Sequence, residues 1–399
     1  MRLVAFGSPA FRRLWLASLG YALSFWMERV AIGWFVFDAT ESIFLAALAF
    51  AAQNLSNMLF GPIAGAAADR IDRARLLAWT GYSGGGVALA MALLVVLNPG
   101  LIWLLIVLSG ARGIARTFEI PAVQALMTDI VGSRHSTNAV GIYLFGLRSV
   151  AVVGGLAAGL LIEYVSSASA FVVAGAAAVA GGFVVRTVRA PGPKIRQPSP
   201  RPLLSDLVAG LRAMLASRIV RTLLGLTLLV EIFAFSYNSL LPAVAHDVFE
   251  VGPSGLGTLT LFAGLGAVGG SLVLAAIGSV RRRGRILMAV TFAYGGFLLL
   301  FAAADRFVLA LAVIAGIGAM AALFDGLQWI LLQANVPPEM RGRAVGGWVW
   351  AIGLGWVGPL ILGGIGEALG VPAAISVGGA AVMLAAVIAL VAVPVLREA

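Results

Sequence analysis

The chain of 399 residues contains no cysteine, two histidines and a single lysine. The absence of cysteine excludes disulfides, iron–sulfur clusters and cysteine-ligated zinc. His135 and His246 are too few for a histidine-rich metal site, so we expect neither a metal nor a cofactor. Because Lys194 lies in PGPKIR, the chain has no phosphate-binding loop of the form G-x-x-x-x-G-K-[ST]. That absence disfavours an ATP-driven pump.

Charge is also scarce, at 11% of residues, whereas hydrophobic residues make up 61%. Soluble globular proteins carry about 25% charged residues, so the composition indicates a membrane protein. Fifty glycines and abundant alanine favour closely packed helices over the alternating strands of a β-barrel. The composition therefore predicts an all-α integral membrane protein.

Twelve apolar stretches are long enough to cross a bilayer as helices. They lie at about residues 14–37, 43–66, 76–97, 101–128, 138–162, 168–186, 219–243, 254–279, 286–304, 307–334, 344–366 and 371–395. The intervening Thr187 to Ser205 is rich in proline and arginine, and Ser205 to Leu215 has an amphipathic pattern typical of a surface helix. We therefore predict an N-terminal six-helix bundle (1–186), a cytoplasmic linker with an amphipathic helix (187–217) and a C-terminal six-helix bundle (218–399).

The distribution of the net charge of +10 predicts the orientation. Twenty-two of the 27 basic residues lie in, or at the edge of, the two termini and alternate loops, while the opposite loops hold seven acids. The positive-inside rule then places both termini and the linker in the cytoplasm. We interpret the excess of positive charge as topology and contact with anionic membrane lipids, not as nucleic-acid binding.

The two halves of the sequence resemble each other. Val131, Ala139 and Val140 have counterparts of the same type 205 residues later, and VGGLAAG (Val153 to Gly159) resembles VGPLILGG (Val357 to Gly364). Such repetition predicts a duplicated six-helix unit. Two similar bundles around a central cavity are typical of a secondary transporter that works by alternating access.

The segment GPIAGAAADRIDRARL, Gly61 to Leu76, resembles the loop signature G-x-x-x-D-R-x-G-R-R of the major facilitator superfamily. Gly65, Asp69, Arg70 and Arg73 match it, whereas Asp72 replaces the usual glycine. FEIPAVQALMTDIV and NVPPEMRGRAVG are similar to the exporter branch that includes drug, siderophore and lysophospholipid carriers. The resemblance implies a monomer in the bacterial cytoplasmic (inner) membrane that moves a small molecule, with protons as coupling ion.

The matched loop residues also predict a cytoplasmic gate on physical grounds. Gly65 would allow two helices to approach closely. Asp69 would pair with Arg70 or Arg73, so that the cluster holds the cytoplasmic side shut and separates when it opens. The alternative is a set of ordinary positive-inside anchors.

Charged residues inside the predicted spans should face a polar interior, because a charge costs about 2.5–3.5 kcal/mol at the centre of a helix on insertion scales. Glu28 is our first candidate for a proton carrier, with Arg112 or Arg116 opposite it. The alternative is a permanent ion pair that only fixes helix packing. Glu231 and Asp325 are further proton-coupling candidates. The predicted substrate cavity is lined by Tyr21, Ser24, Phe25, Arg112, Arg116, Glu119, Arg148, Phe235, Asn238, Gln328 and Trp329.

These features lead us to expect a proton-coupled exporter, an antiporter, of small amphipathic compounds such as drugs or siderophores. Two other transport functions remain open: a proton symporter that imports a nutrient or organic anion, and a carrier of lysophospholipids or other lipids. An integral membrane enzyme that modifies lipids is disfavoured, because neither histidine lies in a pattern of acidic and nucleophilic residues.

Overall fold

The computed structural model describes residues 4–189, 217–277, 283–336, 348 and 350–392, apart from a few side chains within the helices, and every regular element in these ranges is helical. The longer helices are α1 (Pro9–Thr40), α2 (Ile43–Arg70), α3 (Arg73–Leu97), α4 (Ile102–Tyr164), α5 (Ser167–Arg186), α6 (Arg218–Phe233), α7 (Pro253–Ile277), α8 (Arg283–Ala302), α9 (Phe307–Ala334), α10 (Val357–Leu369) and α11 (Val371–Ala392). The predicted linker and its amphipathic helix lie largely outside the described residues.

Several helices begin at a side chain that accepts a hydrogen bond from the backbone of the first turn. Ser8, Ser42, Ser166 and Ser217 cap α1, α2, α5 and α6, and Asp72 caps α3 through the Arg75 amide. Such caps satisfy amide groups that have no partner within the helix. The short polar connections between spans therefore fix where the helices start.

Helix α4 consists of two helices that meet at a kink, and they correspond to the fourth and fifth predicted spans. It runs for 63 residues, and its one residue with non-helical dihedral angles is Gly132, at φ 71° and ψ 165°. Residues other than glycine rarely adopt this conformation. Gly132 thus divides α4 into a first arm (residues 102–131) and a second arm (residues 133–164).

The seventh predicted span, 219–243, is not one continuous α-helix. Helix α6 ends at Phe233, and the chain continues in short turns at Phe235–Ser239, Leu241–Ala243 and Val244–Val248. Pro242 lies within this segment. Pro242 comes nine residues after the end of α6 and occupies the first turn of Leu241–Ala243, where its missing amide proton is tolerated.

Ten described helical segments are long and apolar enough to cross a membrane. Helix α1 and the first arm of α4 are not among the ten. They carry Glu28 and Arg29, and Arg112, Arg116 and Glu119, respectively. The charged interior predicted from the sequence is therefore concentrated on these two helices.

Small and hydroxylated residues mediate close packing between α2 and the first arm of α4. Ser109 Oγ donates to the Ala49 carbonyl (3.0 Å), and Ser56 Oγ donates to the Gly110 carbonyl (2.8 Å). A Cβ atom at Gly113 would collide with the backbone of Gln53. Interhelical hydrogen bonds and small side chains are the usual packing devices of membrane helices.

The second half uses the same devices. Gly266 and Gly270 in α7 lie against the backbone of Ala315 and Ala319 in α9, where a Cβ atom would collide. Gln328 Nε2 in α9 donates to the Leu223 carbonyl in α6 at 2.8 Å. Gln328 is thereby held in the core.

The chain divides into two compact units. The first comprises Met1–Gln197 together with Glu250–Leu261, and the second comprises Pro198–Phe249 together with Phe262–Ala399. The start of α7 belongs with the first unit, where the Ser254 amide donates to Glu163 Oε2 at 2.9 Å. The sequence-based boundaries at 186 and 218 remain a prediction.

Candidate functional site

The centre of the candidate site is an ion pair between Arg112, on the first arm of α4, and Glu28, on α1. Arg112 Nε donates to Glu28 Oε2 at 2.9 Å, and its Nη2 donates to Ser24 Oγ at 3.4 Å. The exposed fractions are 1% for Arg112 and zero for Glu28 and Ser24. The pair is thus removed from water.

Helix α3 provides the space that the Arg112 guanidinium occupies. A Cβ atom at Gly84 would lie 3.1 Å from Arg112 Nη1 and 3.2 Å from its Cζ. A side chain at this position would therefore displace the guanidinium by a few tenths of an ångström. Sequence analysis overlooked Gly84, although the run Gly84–Gly86 was a visible signal.

Only one oxygen of the Glu28 carboxylate is engaged. Oε1 is buried and has no hydrogen-bond partner in the described part of the chain. A buried polar atom without a partner is costly, and such atoms in native proteins are few. Glu28 therefore has a position at which it can accept a hydrogen bond from a ligand or carry a proton.

A second ion pair lies on the same arm of α4. Arg116 is hydrogen-bonded to Glu119, and its Cζ atom lies 4.8 Å from the centroid of the Phe25 ring. Phe25 is also near Arg29, whose Cζ atom lies 5.9 Å from that ring and 4.8 Å from the Phe50 ring. The result is a layer of alternating cations and aromatic rings beside the Glu28–Arg112 pair.

The structure places the remaining first-unit candidates differently. Tyr21 is buried at 1% exposure, and its hydroxyl donates to the Leu77 carbonyl at 2.9 Å. The Tyr21 ring packs against Gly81 and Gly181, so it joins α1 to α3 and α5. Arg148, on the second arm of α4, is exposed. Their roles in a cavity remain predictions.

The candidates of the second unit lie on α6, the turns after it, and α9. Glu231 packs against Gly355, at which a Cβ atom would lie 3.2 Å from the Glu231 Cβ. The Tyr294 hydroxyl is buried without a hydrogen-bond partner in the described ranges, and Asp325 is partly buried on α9. Phe235 stacks edge-to-face on the Tyr294 ring at 6.1 Å.

Two further candidates are engaged in local contacts. Asn238 Nδ2 donates to the Phe235 carbonyl at 2.9 Å. Trp329, which is 38% exposed, packs edge-to-face with Trp348 at 5.3 Å.

The structure describes the predicted cytoplasmic gate only in part. Arg73 pairs with Asp129 on the first arm of α4 and donates through Nε to the Ala68 carbonyl at 3.1 Å. The side chain of Asp69 lies outside the described residues, and Arg70 is exposed. A Cβ atom at Gly65 would meet no atom within 4 Å among the described residues, so no close helix approach is seen there within this part of the chain.

In the described part of the chain, no three histidine or carboxylate side chains come together as they would around a metal ion. What the first unit does offer is a dry ion pair with one unengaged carboxylate oxygen, next to arginines stacked on aromatic rings. Such an arrangement can exchange a proton and contact an amphipathic molecule.

Ten described helical segments are long and apolar enough to cross a membrane, and the first unit holds a buried ion pair. The chain belongs to the transmembrane secretion effector family, whose model matches residues 2–399. Its relatives are transporters and not enzymes. The resemblance to the major facilitator superfamily inferred from the loop signature is confirmed.

Two characterised relatives are exporters by name. The enterobactin exporter EntS of Shigella flexneri is 26% identical over 396 residues, covering 98% of this chain and 93% of the relative. Macrolide efflux protein A of Streptococcus pyogenes is 23% identical over 343 residues, covering 84% and 83%.

Solved transporter structures share the fold. The nucleoside transporter NupG matches with a TM-score of 0.76 at 14% identity, covering 96% of this chain and 98% of that one. A bacterial homolog of the human lysosomal transporter Spinster matches with a TM-score of 0.70 at 17% identity, covering 98% and 96%. The prediction of twelve membrane helices in two six-helix bundles is confirmed.

Proposed function

We propose that this transporter is a proton-coupled exporter that exchanges protons for small amphipathic compounds. The observation that carries the proposal is the Glu28–Arg112 pair, in which a fully buried carboxylate has one arginine partner and one unengaged oxygen. The names of the two relatives support export, and the stacked Arg116 and Phe25 suit an amphipathic molecule.

The physical basis of coupling is the cost of burying charge. A carboxylate without water is stabilised by a nearby cation, and it favours the protonated form once that cation withdraws. A change of conformation that separates Glu28 from Arg112 would therefore promote proton uptake. Return of Arg112 would promote proton release, and the side of the membrane open at each moment determines where the proton goes.

The competing interpretation is that Glu28 and Arg112 only hold α1 against α4. Replacement of Glu28 by glutamine distinguishes the two, because it keeps the shape of the side chain and removes the proton-binding group. We expect Glu28→Gln to abolish transport driven by a pH gradient while the protein remains folded in detergent. Asp38→Asn is the matched control, since Asp38 is an exposed acid on the same helix.

The direction of transport is tested with everted membrane vesicles and a compound identified by a thermal-shift screen. The screen would compare siderophores, macrolides and other antibiotics, lipids and sugars. An exporter working by antiport accumulates the compound inside everted vesicles with an acidic lumen and releases protons. Expulsion of the compound by the same gradient would instead identify an importing symporter.

We further infer that both termini face the cytoplasm of a bacterial inner membrane, on the basis of the basic loops. On the same side, the Arg73–Asp129 pair is our candidate for a contact that forms and breaks with the transport cycle. Asp129→Asn leaves this arginine without its carboxylate partner. We expect it to change the rate of transport, measured in the vesicle assay above, without changing which compounds bind.

A further inference from the structure

We propose that the first unit binds the phosphate headgroup of an anionic phospholipid from the cytoplasmic leaflet in a cavity between the start of α3, the first arm of α4 and the end of α5. The cavity has a volume of about 570 Å³. It lies apart from Glu28 and does not depend on the transported compound. The residues that define it for the argument are Arg73, Arg75, Trp79, Tyr82, Arg186 and Arg189.

The charges around the cavity favour an anion. Four arginines face two aspartates, and both aspartates are already engaged: Asp129 pairs with Arg73, and Asp72 caps α3 through the Arg75 amide. Within the described ranges, Arg75, Arg186 and Arg189 have no carboxylate partner. Three guanidinium groups are therefore available to a phosphate, for which planar arginine donors are well suited.

A second observation concerns Tyr82, which lines the cavity. Its ring is held edge-to-face between Trp79 (6.5 Å) and Phe183 (5.1 Å). Its hydroxyl is buried away from solvent, so the ring and not the hydroxyl borders the cavity. An aromatic cluster therefore lies beside the arginines.

The arrangement of polar and apolar groups favours a lipid over a free anion. Arg75 and Trp79 are four residues apart on α3, and Phe183 and Arg186 are three apart on α5, so each helix presents an arginine and an aromatic ring on the same face. Trp79 and Phe183 are 61% and 60% exposed. Exposed aromatic rings next to basic groups are typical of the membrane interface, where headgroup and acyl chain meet.

The test uses quenching of Trp79 fluorescence by brominated phospholipids in vesicles that contain the full-length protein. The difference between wild type and Trp79→Phe isolates the signal of Trp79 from the other eight tryptophans. We expect brominated phosphatidylglycerol to quench Trp79 at a much lower mole fraction than brominated phosphatidylcholine does. Equal quenching by the two lipids would overturn the proposal.

Charge variants test whether the preference for phosphatidylglycerol depends on the arginines of the cavity. Arg75→Gln/Arg186→Gln should lower the preference for phosphatidylglycerol about tenfold or more, because each basic residue near an anionic surface is worth about fivefold. Arg12→Gln/Arg285→Gln removes the same charge from exposed positions outside the cavity and should preserve the preference. An equal loss in both double variants would indicate only general attraction and refute a defined site.

A further measurement separates a lipid from a soluble anion. Inorganic phosphate and glycerol 3-phosphate serve as soluble probes in a thermal-shift assay. If they stabilise the protein as much as phosphatidylglycerol does, the cavity is a site for soluble anions and the lipid proposal is wrong.

Discussion

The Glu28–Arg112 pair allows a thermodynamic cycle of Glu28→Gln, Arg112→Gln and the double variant. At the 2.9 Å separation of Arg112 Nε and Glu28 Oε2, and with an effective dielectric constant of about 20, the Coulomb attraction is about 6 kcal/mol. Much of that attraction offsets the cost of removing both charges from water. The net value of the pair is therefore smaller than the attraction.

The single and double variants should differ in a defined order. Glu28→Gln leaves the Arg112 cation buried without a charged partner and should lower the free energy of unfolding by about 3–5 kcal/mol. Arg112→Gln should cost less, about 1–3 kcal/mol, because the remaining carboxyl can take up a proton. The loss of unfolding free energy in the double variant should be smaller than the sum of the two single losses by about 2 kcal/mol.

The assay is reversible unfolding in mixed detergent micelles, followed by circular dichroism, with Asp38→Asn as the control for an exposed acid. The control should remain within about 0.5 kcal/mol of wild type. If the two single losses of unfolding free energy are additive, or if Glu28→Gln is as stable as the control, Glu28 and Arg112 are not coupled in a dry interior. Either result would refute our electrostatic account of the site.

Two glycine substitutions test the geometry around this pair. Gly84→Ala should displace the Arg112 guanidinium and reduce transport strongly, whereas Gly86→Ala on the same helix meets no atom within 4 Å and should be silent in the same vesicle assay. Gly132→Ala should lower the unfolding free energy by about 1–3 kcal/mol because of its positive φ, and Gly141→Ala, which also faces open space, should change it little in detergent unfolding. A functional Gly84→Ala variant, or equal stability of the two α4 variants, would contradict the respective argument.

The membrane spans could be predicted from the sequence because every helix that crosses a bilayer needs a minimum length and hydropathy. The positions at which helices break were harder to predict. The end of α6 at Phe233 lies nine residues before Pro242, so that proline did not mark it. Gly132 lies in the connection predicted between the fourth and fifth spans, but its positive φ is only one of several conformations open to a glycine there.

The candidate site was predictable in composition but not in pairing. The sequence placed Arg112 and Arg116 opposite Glu28, yet it could not decide which arginine meets Glu28. The Arg73–Asp129 pair was not predicted, because Asp129 comes from a helix whose rotation no local pattern determines. Contacts between helices depend on the packing of side chains that are far apart in sequence. The register of one helix against another therefore cannot be predicted from local patterns in a single sequence.

The central claim is that Glu28 carries the proton that is exchanged for the transported compound. The most direct measurement compares two assays in proteoliposomes: accumulation driven by a pH gradient, and exchange of labelled for unlabelled compound without a gradient. The account predicts that Glu28→Gln loses the first and retains the second, whereas Asp38→Asn retains both. Gradient-driven accumulation by Glu28→Gln at the wild-type rate would contradict the claim.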